Sequence, residues 1–325
     1  MILVTGGTGF IGTHVVRRLA STTPKGVRLL VRSTGAVPIS DGPQIVRGDI
    51  GDQGAIEKAV EGIDTIVHMA SKNIDADGHG FYEINVEGTR TLCNAACREG
   101  VKKLIYISTT GVYGHGIHRG VEETTPLNPD TPFSRSKASA EALLLDACQR
   151  GRIKVVLLRH RFVYGEGDLY VIPRLLEASR RYPFQISRGR ARTAFILVDD
   201  AAEVISALAT REFPHDSHPV FHLTDGESYS YAEINRVLRS LFDIPEPRRN
   251  APFFPLYAAI RGWEFIRGVD PETSSSSISS LRIKLIGRDN YFSNAKLRAL
   301  FPDFRFTTFA EGMANLRTYY SKERR

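Results

Sequence analysis

Residues 5–12 read TGGTGFIG, and Gly6, Gly9 and Gly12 give the spacing G-x-x-G-x-x-G. The apolar run Ile2–Val4 before it reads as a strand, and Phe10–Leu19 after it has helical periodicity. In such a turn each glycine has its own task. Gly6 permits a tight reversal, Gly9 lets the main chain approach a diphosphate, and Gly12 lets the helix pack closely on the strand. A diphosphate placed there meets free N–H groups at the positive end of the helix dipole. A bare glycine triplet is a weak signal; a strand before it and a helix after it supply the context that gives it meaning.

Outward from this turn, short apolar runs alternate with helical patterns. Val27–Val31, Gln44–Val46, Thr65–Met69, Leu104–Ser108 and Val155–Leu158 read as strands, and Asp52–Val60, Phe81–Arg98 and Pro132–Gln149 as helices. Alternation of this kind implies right-handed crossovers and a parallel sheet covered on both faces. The near-continuous aliphatic runs VRLLV and KVVLL fit burial on both sides. The expected fold is therefore α/β: a Rossmann doubly wound parallel sheet with a smaller, discontinuous substrate-binding lobe. After Gly165 the pattern loosens and prolines from Pro173 to Pro255 interrupt it. Phe195–Asp200 and Val220–Thr224 read as returns to the sheet, and the serine run Ser274–Ser277 as a loop or helix start. The expected division is residues 1–165 plus 195–225 for the dinucleotide domain and 166–194 plus 226–325 for the lobe.

Of the 325 residues 42% are hydrophobic and 24% charged, which is ordinary globular usage and argues against disorder or coiled coil. Three cysteines make no disulfide scaffold and point to a reducing compartment. Cys93 and Cys97 lie four apart, but no His or Cys nearby completes a metal set, so buried thiols and no metal site are expected. The start MILVTGG lacks a basic segment and a long apolar one, and no run reaches the ~18 apolar residues of a membrane span. A cytoplasmic location is therefore expected. Phe253–Ile260 is apolar but short and carries Pro255, which reads as a packed helix or a lid. The net charge of +7 draws on Arg174, Arg180, Arg181, Arg188, Arg190 and Arg192, either a solvated face or a rim for an anionic substrate. Without interleaved aromatic residues or a recognised motif, nucleic acid is not an expected partner.

The TGGTGFIG turn, together with segments spread along the rest of the chain, resembles the extended short-chain dehydrogenase/reductase family, also called the NAD-dependent epimerase/dehydratase family. The resemblance runs through Gly48-Asp49-Ile50, His68-Met69-Ala70-Ser71, Asn85 in INVEGT, TTGVYG at 109–114, Val163-Tyr164-Gly165, FILVDD at 195–200 and an ending at Asn290–Leu297 and Glu311-Gly312. It implies a cofactor held by Gly6, Thr8, Gly9, Phe10, Ile11, Gly12, Asp49, Ile50, Met69, Ala70, Ser71, Asn85, Lys137, His160 and Val163. It also implies a homodimer through the helices at 81–98 and 132–149. The second strand ends Leu30-Val31-Arg32-Ser33. A carboxylate there would repel a 2′-phosphate, whereas the Arg32 guanidinium can pair with one, so NADP(H) is expected over NAD(H). The alternative is that Arg32 stacks on adenine or points into solvent, with NAD bound.

The family works with a Ser/Thr, a Tyr and a Lys, in which the phenol passes a proton, the ammonium lowers its pKa and holds the ribose, and the hydroxyl orients the substrate oxygen. Thr109 and Lys137 match; the tyrosine position, four residues before Lys137, is Phe133. Phenylalanine can neither donate a proton nor ionise. Three explanations fit: an introduced replacement of a tyrosine; another proton carrier, with Tyr113, Tyr164, His115 and His160 as candidates; or a cofactor kept without redox chemistry. Nucleotide-sugar members carry an asparagine where Phe162 stands and an Arg-Asp-Phe where Thr193-Ala194-Phe195 stands. Phe253, Phe254, Tyr257, Trp263 and Phe265 either form the lobe's core or suit a lipophilic ketone or alcohol. The expected activity is oxidoreduction of a small carbonyl/alcohol substrate with altered proton transfer. Its rivals are a nucleotide-sugar epimerase or dehydratase and a non-catalytic NADP(H)-binding protein.

Overall fold

The computed structural model describes residues 1–23, 26–32, 42–73, 80–182, 184–212, 219–247, 249–269 and 279–322. Ser274–Ser277 lie outside the described residues. The chain divides into two compact units: Met1–Val112, Leu127–His160 and Val198–Phe221 make the first, and Tyr113–Pro126, Arg161–Leu197 and His222–Arg325 the second.

The strands of the large sheet are β1 (Ile2–Thr5), β2 (Val27–Val31), β3 (Gln44–Arg47), β4 (Thr65–His68), β5 (Lys103–Thr109) and β6 (Lys154–His160), all in the first unit, and β7 (Val220–Leu223), which begins in it. They form one sheet in the order β7-β6-β5-β4-β1-β2-β3. The ladders from β6 through to β3 are all parallel. Helices α1 (Phe10–Thr22), α2 (Gln53–Val60), α3 (Gly88–Arg98), α4 (Pro132–Gln149) and α5 (Val198–Thr210) accompany them. The aliphatic centres of β1, β4, β5 and β6 are buried, as strands covered on both faces must be. The winding reverses between β1 and β4. In an open α/β sheet that reversal opens a crevice beyond the carboxyl ends of the two strands.

Two local expectations are corrected. The stretch 81–98 is not one regular helix: a π-helical turn, Glu83–Glu87, precedes α3. Such a turn takes in one extra residue, which apolar periodicity does not register, and it commonly marks a functional position. Phe195–Leu197 does not return to the large sheet. It pairs in parallel with Phe162–Tyr164 in the second unit, and α5 starts directly after it. The packing of Phe195 against Phe309, with ring centroids 4.6 Å apart, accounts for its place.

The second unit holds a four-stranded sheet in the order Tyr229–Ser230, Arg192–Thr193, Asn290–Phe292, His118–Val121. Its core gathers Tyr164, Leu176, Phe195, Ile234, Phe309 and Met313. Asp168 accepts hydrogen bonds from the N–H groups of Tyr170, Val171 and Ile172 and so caps the helix Ile172–Arg181. The apolar segment at 253 continues as a helix to Arg267. Phe253 is buried, but Phe254, Trp263 and Phe265 are exposed, so these three form no part of the unit's core.

Candidate functional site

The glycine turn lies at the carboxyl end of β1, beside the winding reversal. Gly6 has φ +73°, and a Cβ there would stand 2.5 Å from Ala70 N, at the carboxyl end of β4. A Cβ on Gly12 would stand 2.1 Å from the Gly6 carbonyl oxygen. Gly12 thus lets α1 close on the turn itself. No side chain caps α1, and its first turn carries no acidic residue. The positive end of the helix therefore faces a cradle lined by main chain, the arrangement a dinucleotide's diphosphate fits. Two contacts tie α1 to α5: His14 Nδ1 lies 2.7 Å from Asp199 Oδ1, and Arg18 is paired with Glu203.

A buried polar chain sets the loop opposite. The Ala70 N–H donates to Thr5 Oγ1 at 3.3 Å. Thr5 Oγ1 lies 2.7 Å from His68 Nδ1, and His68 Nε2 lies 2.9 Å from Thr89 Oγ1. Thr89 donates to the Asn85 carbonyl at 2.6 Å. Thr89 therefore accepts from His68 Nε2–H, and Thr5 donates to His68 Nδ1, which fixes the neutral tautomer. All four side-chain positions of Asn85 are filled. Oδ1 accepts from Ser71 Oγ and Lys72 N, and Nδ2 donates to the Lys72 carbonyl and Ser136 Oγ. The π-helical turn that carries Asn85 thus joins the Ser71 loop to α4 one residue before Lys137.

Burial holds the His68 imidazole down at about 3, and the nearby Lys137 charge adds to this. The unfolded chain takes up this proton below pH ~6.5 while the native state does not until about 3. The stability is therefore present above 6.5 and drains as pH falls, at up to about 1.4 kcal/mol per pH unit. In urea titrations at pH 7 and 4.5, His68→Gln is expected to lose less stability on acidification than the wild type. An equal loss would show that the imidazole is not buried in its neutral form.

Thr5, His68 and Tyr106 share one register across β1, β4 and β5. Lys137 Nζ lies 4.0 Å over the Tyr106 ring and donates to the Ile107 carbonyl at 2.7 Å. Burial pushes the Lys137 ammonium down to about 7, against the pull of the Glu141 carboxylate. Glu141 is itself gripped by Arg159, with Nη2 2.6 Å from Oε2 and Nε 3.1 Å from Oε1. Thr109, at the end of β5, accepts from Gly111 N–H at 3.1 Å and is the register partner of His160 on β6. Phe133 sits one helical turn before Lys137 on α4, half-buried, with its ring 5.9 Å from that of Phe81. The structure thus brings Thr109, Phe133, Lys137 and His160 into the first unit, around β5, β6 and α4.

The other candidates lie elsewhere. Arg32 comes directly after β2 and is exposed. Asp49 accepts from Gly51 N–H at 3.1 Å, and the Ile50 side chain packs into the core against Gly88. Val163, Tyr164, Tyr113 and His115 belong to the second unit. Tyr164 is fully buried in its core, 5.4 Å from Phe309. Tyr113 donates to His222 Nε2 at 2.7 Å, because His222 Nδ1 bonds the Ser293 carbonyl at 2.8 Å. The polar links of His68, Thr89 and Tyr106 escape sequence reasoning, since each depends on partners distant in sequence. The only signal for them is a polar residue ending an otherwise aliphatic strand, as His68 does.

Known proteins resemble this chain in sequence and in fold. Residues 2–221 match the profile of the NAD dependent epimerase/dehydratase family. A 4-hydroxy-2-methyl-3-oxo-4-farnesyl-3,4-dihydroquinoline-1-oxide ketoreductase from Stigmatella aurantiaca is 29% identical over 304 residues, covering 91% of this chain and 89% of that protein. The dTDP-D-glucose 4,6-dehydratase of Mus musculus is 30% identical over 239 residues, 67% of each chain. The crystal structure of UDP-glucose 4-epimerase from Thermotoga maritima with UDP-glucose superposes with a TM-score of 0.76 at 22% identity, covering 99% of both chains.

Proposed function

The chain belongs to the NAD-dependent epimerase/dehydratase family of enzymes, and on that premise we propose that it interconverts a carbonyl and an alcohol on a small molecule. The observation that carries this reading is the uncapped, glycine-lined start of α1 beside the β1/β4 reversal. Gly6, Thr8 and Gly9, with the N–H groups of Phe10, Ile11 and Gly12, would hold a diphosphate there. Asp49, Ile50, Met69, Ala70 and Ser71 would line the rest of the dinucleotide, and Asn85 would serve by bracing the Ser71 loop. When bound, the nicotinamide supplies the hydride donor or acceptor. Thr109 Oγ1 would orient the substrate oxygen. Lys137 Nζ would bind ribose while holding or releasing a proton near neutral pH.

Support for a ketone or secondary alcohol comes from the ketoreductase relative, which covers nearly the whole chain. Phe254, Trp263 and Phe265 are exposed, so they lend no support to a lipophilic pocket. A nucleotide-sugar reading draws on the dTDP-D-glucose dehydratase relative. That reading predicts coenzyme retained through purification and no net change in nicotinamide absorbance. A panel of ketones and nucleotide sugars, monitored by absorbance and by product analysis, separates the two.

NADP(H) is the proposed coenzyme, since Arg32 stands where an acidic residue would hold an NAD ribose. Arg32→Asp should weaken NADP(H) binding by at least about tenfold to a hundredfold, since a charge-assisted contact is lost and a repelling carboxylate gained, and should strengthen NAD(H) binding through the ribose 2′-OH. Calorimetric titration with both coenzymes checks this. Tighter NAD(H) binding by the wild type would overturn the preference.

A further inference from the structure

The helix Phe253–Arg267 has two faces of opposite surroundings. Phe253, Leu256, Tyr257 and Ile260 pack inward with Ile186 and Ile283. Glu264 is buried on the same side and accepts from the Ser280 N–H at 2.7 Å, anchoring the helix to the start of the helix Ser280–Gly287. The outer face carries Phe254, Pro255, Ala258, Ala259, Gly262, Trp263, Phe265 and Ile266. Phe254 is 75% exposed, Trp263 49%, Phe265 85% and Ile266 81%. Four large apolar side chains this open on one helix are unusual for a surface that meets only water. Along the helix itself the exposed charges are both basic: Arg267, and Arg261, whose guanidinium is half-exposed while one of its nitrogens lies 3.7 Å from the helix's single carboxylate, the buried Glu264.

We propose that this outer face docks on a lipid bilayer surface bearing anionic headgroups, the helix lying in the interface and not crossing it. Aromatic and aliphatic side chains flanked by arginines match that boundary, with rings reaching the acyl region and guanidinium groups meeting phosphates. A second copy of this chain matches it less well. A two-fold contact along the face would bring arginines together with no exposed acid on the helix to receive them. No described helix is long and apolar enough to span a membrane, so docking would be peripheral. The inference stands independently of the substrate.

Trp263 is the only tryptophan in the chain and reports on the face directly. Full-length protein is mixed with vesicles of phosphatidylcholine alone and of phosphatidylcholine with phosphatidylglycerol. Expected are a blue shift of Trp263 emission and co-sedimentation with the anionic vesicles. Phe265→Asp with Ile266→Asp should reduce vesicle affinity on the order of a hundredfold. Arg261→Gln and Arg267→Gln should each cost about fivefold on anionic vesicles only. Coenzyme binding should not move, and the thermal midpoint should hold for Phe265→Asp with Ile266→Asp and for Arg267→Gln, whose side chains are exposed, whereas Arg261→Gln also removes the ion pair to the buried Glu264 and should lower the midpoint. Unchanged emission without sedimentation would overturn the proposal. So would an oligomer that Phe265→Asp dissociates while no vesicle binds, which would assign the face to a second copy.

Discussion

Gly9→Val should abolish dinucleotide binding and leave the protein folded. Gly9 has φ −79° and ψ 174°, an extended conformation that valine adopts readily. The nearest atom to a Cβ there is the Gly6 carbonyl oxygen at 3.3 Å, so the turn needs to yield by only a few tenths of an ångström. The isopropyl group would then occupy the space a diphosphate needs against the start of α1. Hydrogen bonds to a charged group contribute about 1.5–3 kcal/mol each, so losing two weakens binding by roughly a hundredfold or more. Gly6 and Gly12 cannot make this separation, since a Cβ on either would strike main chain at 2.5 Å or less. Calorimetry with NADP⁺, NADPH, NAD⁺ and NADH, alongside circular dichroism and a thermal midpoint, is the measurement. Retained affinity in a folded variant would remove the diphosphate from this turn, and the proposed activity with it.

The glycine turn and the strand–helix alternation were legible because both are local. A tight reversal demands particular residues at fixed spacing, and strands buried on both faces show as aliphatic runs. The spacing of Phe133 and Lys137 was legible for the same reason, since the two lie one helical turn apart on α4. What escaped depends on partners distant in sequence. The Asn85 side chain bonds Lys72, 13 residues away, and Ser136, 51 residues away. The π-helical turn that carries Asn85 looks like ordinary amphipathic helix in the sequence. His68 joins Thr5 and Thr89 across 63 and 21 residues, and nothing at position 68 names either. Phe195–Leu197 has the apolar character of a core strand, but that character does not say which sheet it enters. The aromatic residues from Phe253 to Phe265 show the same limit: their chemistry was evident, while only packing tells an inner ring from an outer one.

Phe133→Tyr should raise turnover by about a hundredfold to ten-thousandfold, the usual contribution of a positioned general acid or base. The change adds one hydroxyl to a half-buried ring and keeps its shape, so the edge contact with Phe81 is retained. The helix bearing it is firmly started: Pro132 occupies its first position, and Thr131 and Ser134 form a reciprocal cap. A phenol at 133 would project from the same helix face as Lys137, whose ammonium burial has already pushed down to about 7. In the wild type, Lys137 Nζ shares that face with the Glu141 carboxylate, which Arg159 grips, and its direct bond to the Ile107 carbonyl constrains where its proton can go. Initial rates of coenzyme oxidation and reduction on an active carbonyl or alcohol, wild type against Phe133→Tyr across pH 6–9, decide the matter. A rise shows that the absent phenol limits the reaction, whether the phenylalanine is native or introduced. A rate that holds or falls shows that proton transfer runs through another group, and Lys137→Met in the wild-type background then identifies it: loss of the pH dependence together with the rate assigns the proton to Lys137, and retention excludes it.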